Sequence, residues 1–357
     1  MHQRQRRSKR LLLTVLILIA AAQLGVGLLL DLDPLKVRFR PAESIIANLC
    51  EASRHPDILF LGSSRFGDGI KIGELQKAMN ETFGKEAPLM VNCAFPAADP
   101  YSMDFLLRHI LRRGITPAMV VMEISPETVM LGGPYQGGQV TRILTLKDMP
   151  EAAADLIAFG KLTELMDSRL IPIYTFRMEL LTYLFGDSPP YLAPPAGILS
   201  PVPAPTAAKA QAAALPRNVS RVEKENRLRL IQSARPNVQS WLRGFRIKGL
   251  NVRHLESMLA YFQTHGIAAI LVGVPVTKMH FECYSQEINL KFLDYMNTLA
   301  RTYGCRFVDY RDRFADDLFY DHHHLTPEGG SEFCQVFQEE VLCQAWRKGP
   351  MTSRRTE

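Results

Sequence analysis

The stretch Asp57-Ile-Leu-Phe-Leu-Gly-Ser-Ser-Arg65 decides the fold. A short apolar run that stops at Gly62-Ser63-Ser64 reads as a buried strand, and its end lies at the carboxyl edge of the sheet, where open α/β folds place their ligands. The turn therefore delivers a hydroxyl to a functional position. Far downstream, Asp321-His-His-His324 precedes Leu325-Thr326-Pro327-Glu328-Gly329. A serine hydroxyl is a poor nucleophile until a base lies within hydrogen-bond reach and a third group holds that base in the right tautomer. On this reading Ser64 is the nucleophile and His324 the base, carried by a loop after the last strand. Asp321, in the same loop, turns back towards the imidazole.

Outward from this stretch the chain alternates apolar strands with amphipathic helices, which predicts an α/β domain with a mainly parallel five-stranded sheet covered on both faces. The expected strands are Ile58 to Leu61, Leu89 to Cys93, Ala118 to Ile124, Ile267 to Val272 and Arg306 to Val308. Asp99 is placed to cap a helix that starts with Pro100, with Met103, Leu106, Leu107, Ile110 and Leu111 as its buried stripe. Helical spacing also marks Leu255, Met258, Leu259 and Phe262, then Ile288, Phe292, Met296 and Leu299, then Phe333, Val336, Phe337 and Val341. The domain is expected to occupy 57–130 and 250–346. Between them lies an insertion, 131–249, far longer than an ordinary connection. Met149 to Phe185 reads as helical there, whereas Pro189 to Pro216 is rich in Pro and Ala and reads as mobile. The insertion suits a lid or a partner-docking surface, and equally a tolerated surface loop.

Of the net charge of +6, five units come from Arg4, Arg6, Arg7, Lys9 and Arg10, and 47% of the 357 residues are apolar. The body is thus close to neutral and has no dense basic run, which argues against nucleic-acid binding. The basic residues 1–10 abut Leu11 to Leu30, a run without charge. At about 1.5 Å per residue that run crosses the hydrocarbon core. The reading is a single transmembrane anchor over 11–30, amino terminus cytoplasmic, with a connector over 31–56 and the domain outside, in a bacterium the periplasm. Ala20-Ala21-Ala22 also resembles a cleavage site, and a cleaved signal exports the domain equally. Residues 347–357 form a tail. The six cysteines show no CxxC spacing, and Cys93 and Cys305 are expected inside strands as buried free thiols.

Other residues near the turn admit a binding role and a structural one. Arg65 can meet an anionic substrate or simply be paired, with Asp68 as a candidate partner. Ser125 can lend a hydroxyl to an oxyanion or merely end the third strand before Pro126. Glu123 can act as an acid or base, but a structural hydrogen bond is the preferred reading. A metal set would take His322 and His324 with Asp321. No second His, Asp or Cys cluster stands out to complete it, so neither metal nor cofactor is expected.

Gly62-Ser63-Ser64, Asn92-Cys93-Ala94 and Asp321-x-x-His324, in that order, resemble the blocks of the SGNH (GDSL-like) hydrolases, from about Asp57 to Val341 without the insertion. The resemblance implies a flavodoxin-like three-layer fold and an esterase, lipase or carbohydrate O-acyltransferase activity. It implies Ser64 as nucleophile, His324 as base and Asp321 as its partner. It also implies backbone oxyanion donors at Ser64 and Ala94, with Asn92 beside the substrate. Two blocks depart from the pattern. Ala94 stands where glycine is usual, and Glu123-Ile-Ser125-Pro126-Glu127 replaces Gly-x-Asn-Asp. The second change removes a side-chain amide donor whose loss costs roughly 10²- to 10³-fold in turnover.

With its single anchor and Gly-Ser-Ser-Arg form, the chain is similar to the membrane-anchored SGNH-like branch, which includes the teichoic-acid D-alanylation protein and partners of membrane-bound O-acyltransferases. The resemblance implies acyl transfer to, or ester cleavage on, an envelope polysaccharide through an acyl-serine, with an acyl donor and such an acyltransferase at the inner membrane as partners. Two rivals remain: a non-catalytic module of this fold that docks a membrane O-acyltransferase, and a metal-dependent hydrolase.

Overall fold

Ile58–Leu61 forms β1 with all four side chains buried, as a strand covered on both faces of a parallel sheet must be. The computed structural model describes residues 2–131, 142–158, 160–186 and 221–347. Around β1 the sheet order is β2-β1-β3-β4-β5, with β2 Met90–Asn92, β3 Met119–Ile124, β4 Ala268–Gly273 and β5 Arg306–Asp309. Every pairing is parallel, and Ile58 stands opposite Met90 on one side and Met119 on the other. This order is that of flavodoxin-like doubly wound sheets, in which the crevice beyond the strands' carboxyl ends opens between β1 and β3. Ser64 follows β1 and Ser125 follows β3, so both flank that opening.

β1 has the expected bounds and the other four strands differ by a residue at one or both ends. Cys93 and Cys305 flank β2 and β5 and do not lie within them. Both are buried free thiols, and burial pushes their pKa values up to about 12 and about 11. Asp99 caps the helix Pro100–Arg112 as its sequence suggests: its side chain accepts from Ser102 N–H at 2.9 Å, and the Ser102 hydroxyl accepts from Asp99 N–H at 2.9 Å. The helix buries Met103, Leu106, Leu107 and Ile110. Leu250–His265, Gln286–Tyr303 and Pro327–Phe337 bury Leu255, Met258, Leu259 and Phe262, then Phe292, Met296 and Leu299, then Phe333 and Phe337. One core cluster matters for the site. Phe66 edges onto Phe60, and Phe60 onto Phe337, each with centroids 6.3 Å apart, which fixes the short helix Ser64–Gly69 to the sheet.

The chain forms two compact units, Met1–Ser44 with Gly137–Ser200, and Ile45–Gln136 with Pro201–Glu357. The sheet lies in the second. The first holds the helix His2–Leu32, of which Arg7–Leu32, mean hydropathy 2.5, is long and apolar enough to cross a membrane. The same unit holds the helices Met149–Ala158, Leu162–Leu170, Pro172–Thr175 and Arg177–Phe185. Ile173 N–H donates to Gln23 Oε1 at 3.1 Å. The expected connector is ordered at its start: Arg38, 1% exposed, pairs with Asp31 at 2.7 Å. The helix Arg40–Glu51 follows. The Pro189 to Pro216 stretch lies outside the described residues.

Candidate active site

Gly62 ends β1 where no other residue fits. A Cβ there would stand 2.7 Å from Phe66 Cβ and 2.8 Å from Glu123 Oε2, well inside contact distance. The chain next turns into Ser63, the N-cap of Ser64–Gly69, whose hydroxyl accepts from Arg65 N–H at 3.2 Å. The Ser63 N–H and hydroxyl both donate to Glu123, at 2.7 and 2.8 Å. Arg65 Nε donates to the same carboxylate at 2.8 Å, and its Nη2 donates to Ser125 Oγ at 2.9 Å. Glu123 is fully buried, so this charge is tolerated because several donors surround it. The network laces the end of β1 to the end of β3.

Two expectations change here. Arg65 and Ser125, offered as substrate contacts, are 3% and 1% exposed and bonded to each other. Arg65 pairs with Glu123 at 2.8 Å. Ser125 is also the N-cap residue of Pro126–Val129, its N–H donating to Thr128 Oγ1 at 3.0 Å, while its hydroxyl accepts from Arg65. Glu123 holds the structural role preferred for it.

Ser64, at the first helical position, points its hydroxyl at the other loop. Ser64 Oγ lies 2.8 Å from His324 Nε2, and His324 Nδ1 lies 2.7 Å from Asp321 Oδ2. The second Asp321 oxygen accepts the N–H groups of His323 and His324, both at 2.9 Å, which winds residues 321–324 into a tight turn. Tyr320 N–H donates to His324 O at 2.8 Å, and the Thr277 hydroxyl to His322 O at 3.0 Å, so the loop is held from both ends. Burial acts to raise the Asp321 pKa, but the His324 ring and the two N–H donors outweigh it and hold the carboxyl at about 2. An ionised Asp321 keeps the proton of His324 on Nδ1, and Nε2 is then an acceptor for the serine proton.

The expected oxyanion donors are placed unequally. Ala94 N–H donates to Asn92 Oδ1 at 3.0 Å, and Asn92 Nδ2 donates to Phe66 O at 3.1 Å. Asn92 thus braces the turn after β2 and takes up the N–H expected to serve the oxyanion. Ser64 N–H, by contrast, has no acceptor inside its own helix, as holds for any first helical position.

A protein-family model carrying no functional description matches residues 215–345, less than half of the chain. No curated protein matches. Among solved structures the chain is similar to BT4096, a gut microbial diltiazem-metabolizing enzyme, at 10% identity and a TM-score of 0.35, over 80% of this chain and 46% of that one. The chain thus spans less than half of that neighbour's length, and a likeness so distant carries no argument. The functional reading rests on the residues themselves.

A second polar group beside the loop was not visible in the sequence. His280 Nε2 lies 2.6 Å from Glu127 Oε1, which also accepts from the Tyr284 hydroxyl at 2.8 Å. Burial acts to raise the Glu127 pKa, but the His280 bond outweighs it and holds the carboxyl well below its usual range. Burial lowers the His322 pKa to about 4 and that of His323 well below the usual imidazole value, reinforced by neighbouring positive charge. In the alternative metal set, Asp321 and His324 are engaged with each other and with Ser64. His322 groups instead with His323 and His280. No second cluster stood out in the sequence, and the structure brings His280 beside the loop histidines. The available signal was position, because Glu127 and His280 each lie a few residues past the carboxyl end of a strand.

Proposed function

We propose that the chain is a membrane-anchored, extracytoplasmic serine esterase or acyltransferase of SGNH type, acting on acyl groups of a cell-envelope polysaccharide. The carrying observation is the unbroken relay of Ser64 Oγ, His324 Nε2, His324 Nδ1 and Asp321 Oδ2, with separations of 2.8 and 2.7 Å. Ser64 Oγ attacks the acyl carbonyl while its proton passes to His324 Nε2. The imidazolium that forms faces the ionised Asp321. Collapse of the tetrahedral adduct expels the donor's oxygen, which takes the proton from His324 and leaves an acyl group on Ser64. A water or a sugar hydroxyl then repeats the sequence in reverse, with His324 as base and Ser64 as leaving group.

The anchor supports the location. An apolar helix led by Arg7, Lys9 and Arg10 orients with that end in the cytoplasm, which puts the relay outside. Exposed apolar side chains at Leu170, Tyr174, Leu184 and Phe185, in the unit that contains the anchor, suit a unit lying against a bilayer. The missing side-chain amide and the engaged Ala94 N–H favour transfer, with a membrane-bound O-acyltransferase as the donor-side partner, over rapid hydrolysis. The test is labelling of the full chain with a fluorophosphonate, read by peptide mass spectrometry. The adduct is expected on Ser64 and absent from Ser64→Ala. Equal labelling of that variant at another serine would overturn the proposal.

A further inference from the structure

We propose that His280, His322 and His323 form a binding site for a divalent transition-metal ion of the zinc type, distinct from the Ser64 relay. Each of the three offers a ring nitrogen within 4.8 Å of the others. The Nδ1 atom of each is shielded from solvent and has no hydrogen-bond partner. A buried imidazole nitrogen left without a partner is unfavourable, and three of them on neighbouring rings suit a soft-to-borderline cation.

The tautomer of His280 suits this role. Its Nε2 faces Glu127 Oε1 at 2.6 Å and the Tyr284 hydroxyl at 3.2 Å. A proton held on Nε2 by an ionised Glu127 leaves Nδ1, buried and without a hydrogen-bond partner, as a lone pair available to an ion. A carboxylate behind a ligating imidazole is the usual support of a metal-bound histidine, fixing its orientation and raising its basicity. His280 and Glu127 are both fully buried, so this side of the site is preorganised. The other side belongs to the loop, where Thr277 holds His322 O and Asp321 holds His323 N–H. The ring centroids of His322 and His323 are 4.0 Å apart, and those of His280 stand 5.2 and 5.9 Å from them. Zinc bonds of about 2.0–2.1 Å to nitrogen need the three atoms somewhat closer than 4.8 Å. Rotation of the two loop rings, both partly exposed, supplies that closure.

Three histidines leave a fourth position of a tetrahedral ion for water or a substrate oxygen, and imidazole donors suit zinc, copper or nickel over magnesium or calcium. A second group, Asp321, His323 and His324, meets the same distance limit. It is the poorer site, because Asp321 accepts three hydrogen bonds and His324 uses both ring nitrogens in the relay.

The test uses the full chain with its anchor, in detergent, stripped by a chelator and dialysed against zinc or cobalt. Elemental analysis should find about one ion per chain in both the parent and Ser64→Ala, and cobalt should give the visible absorption of a tetrahedral site. Glu127→Gln should weaken zinc binding roughly 10- to 100-fold. His322→Ala, on the exposed side, should abolish uptake without changing the melting temperature of the stripped protein. Uptake far below one ion in the parent would overturn the proposal, as would undiminished binding by His322→Ala. Loss in Asp321→Asn with retention in His322→Ala would move the ion to the relay loop and overturn it equally. None of these readouts depends on the acyl-transfer reading.

Discussion

Of the domain's imidazole–carboxylate pairs, two of nearly the same length involve the loop after β5 or its neighbour, His324–Asp321 at 2.7 Å and His280–Glu127 at 2.6 Å, and another, His254–Asp104 at 2.5 Å, joins two helices. The surroundings of the first two differ. In the first pair the side chains are 21% and 46% exposed and a serine hydroxyl meets the far nitrogen; in the second both are 0% exposed and no hydroxyl nucleophile is attached. An imidazole that must gain and lose a proton in each cycle needs a route to solvent and substrate. A fully buried one is better suited to holding one fixed state. Under the proposed function the first pair works and the second holds, and burial is what divides them.

The comparison can be broken by substitution, starting where the effect should be greatest. Ser64→Ala removes the attacking atom and should lower turnover by roughly 10⁴- to 10⁶-fold, measured on an activated acyl ester. Asp321→Asn keeps the shape but favours the wrong tautomer of His324, so a loss of about 10⁴-fold is expected. Because that pair is half exposed, the same change should cost less than about 1 kcal/mol of stability in a denaturant melt. A protein that lost stability but kept turnover would reverse the roles of the two pairs.

Burial predicts the opposite emphasis elsewhere. Arg65→Met leaves the Glu123 carboxylate buried without its cation and should cost about 3–5 kcal/mol, with partial recovery in Arg65→Met/Glu123→Gln. Glu127→Gln weakens the bonds to His280 and Tyr284 and should cost about 1–3 kcal/mol, by the same melt. The smallest effect is a pH dependence. The Asp321 carboxyl falls from its ordinary 3.8 to about 2 in the folded chain. Between those values the unfolded chain binds the proton first. The stability Asp321 adds is therefore complete above about pH 4 and drains as pH falls towards 2. Melts of Asp321→Asn across that window should lack this acid slope.

What was legible in the sequence shares one property: its physics is local. The β1 run, the Asp99 cap with Pro100 and the turn-forming Asp321 are each decided within a few residues. What was misread involves partners at a distance. Arg65 finds Glu123 across 58 positions, and His280 finds Glu127 across 153. A guanidinium after a candidate nucleophile reads equally as a substrate clamp or a brace until its depth is known. Likewise Ala94 has the N–H an oxyanion needs, but only folding reveals that Asn92 has taken it.

By itself the sequence determined the anchor-length apolar helix, the α/β alternation and the hydroxyl at the end of the first strand. Composition, period and turn chemistry act over one or two turns of chain, and no packing is needed to express them. The tertiary structure alone decided that Ser64 and His324, 260 positions apart, stand 2.8 Å from each other, and that His280 joins the histidines of the loop. Parallel strands all finish at the same edge of the sheet, so residues remote in sequence are gathered there by topology, and packing then decides which carboxylates are buried and which stays open to solvent.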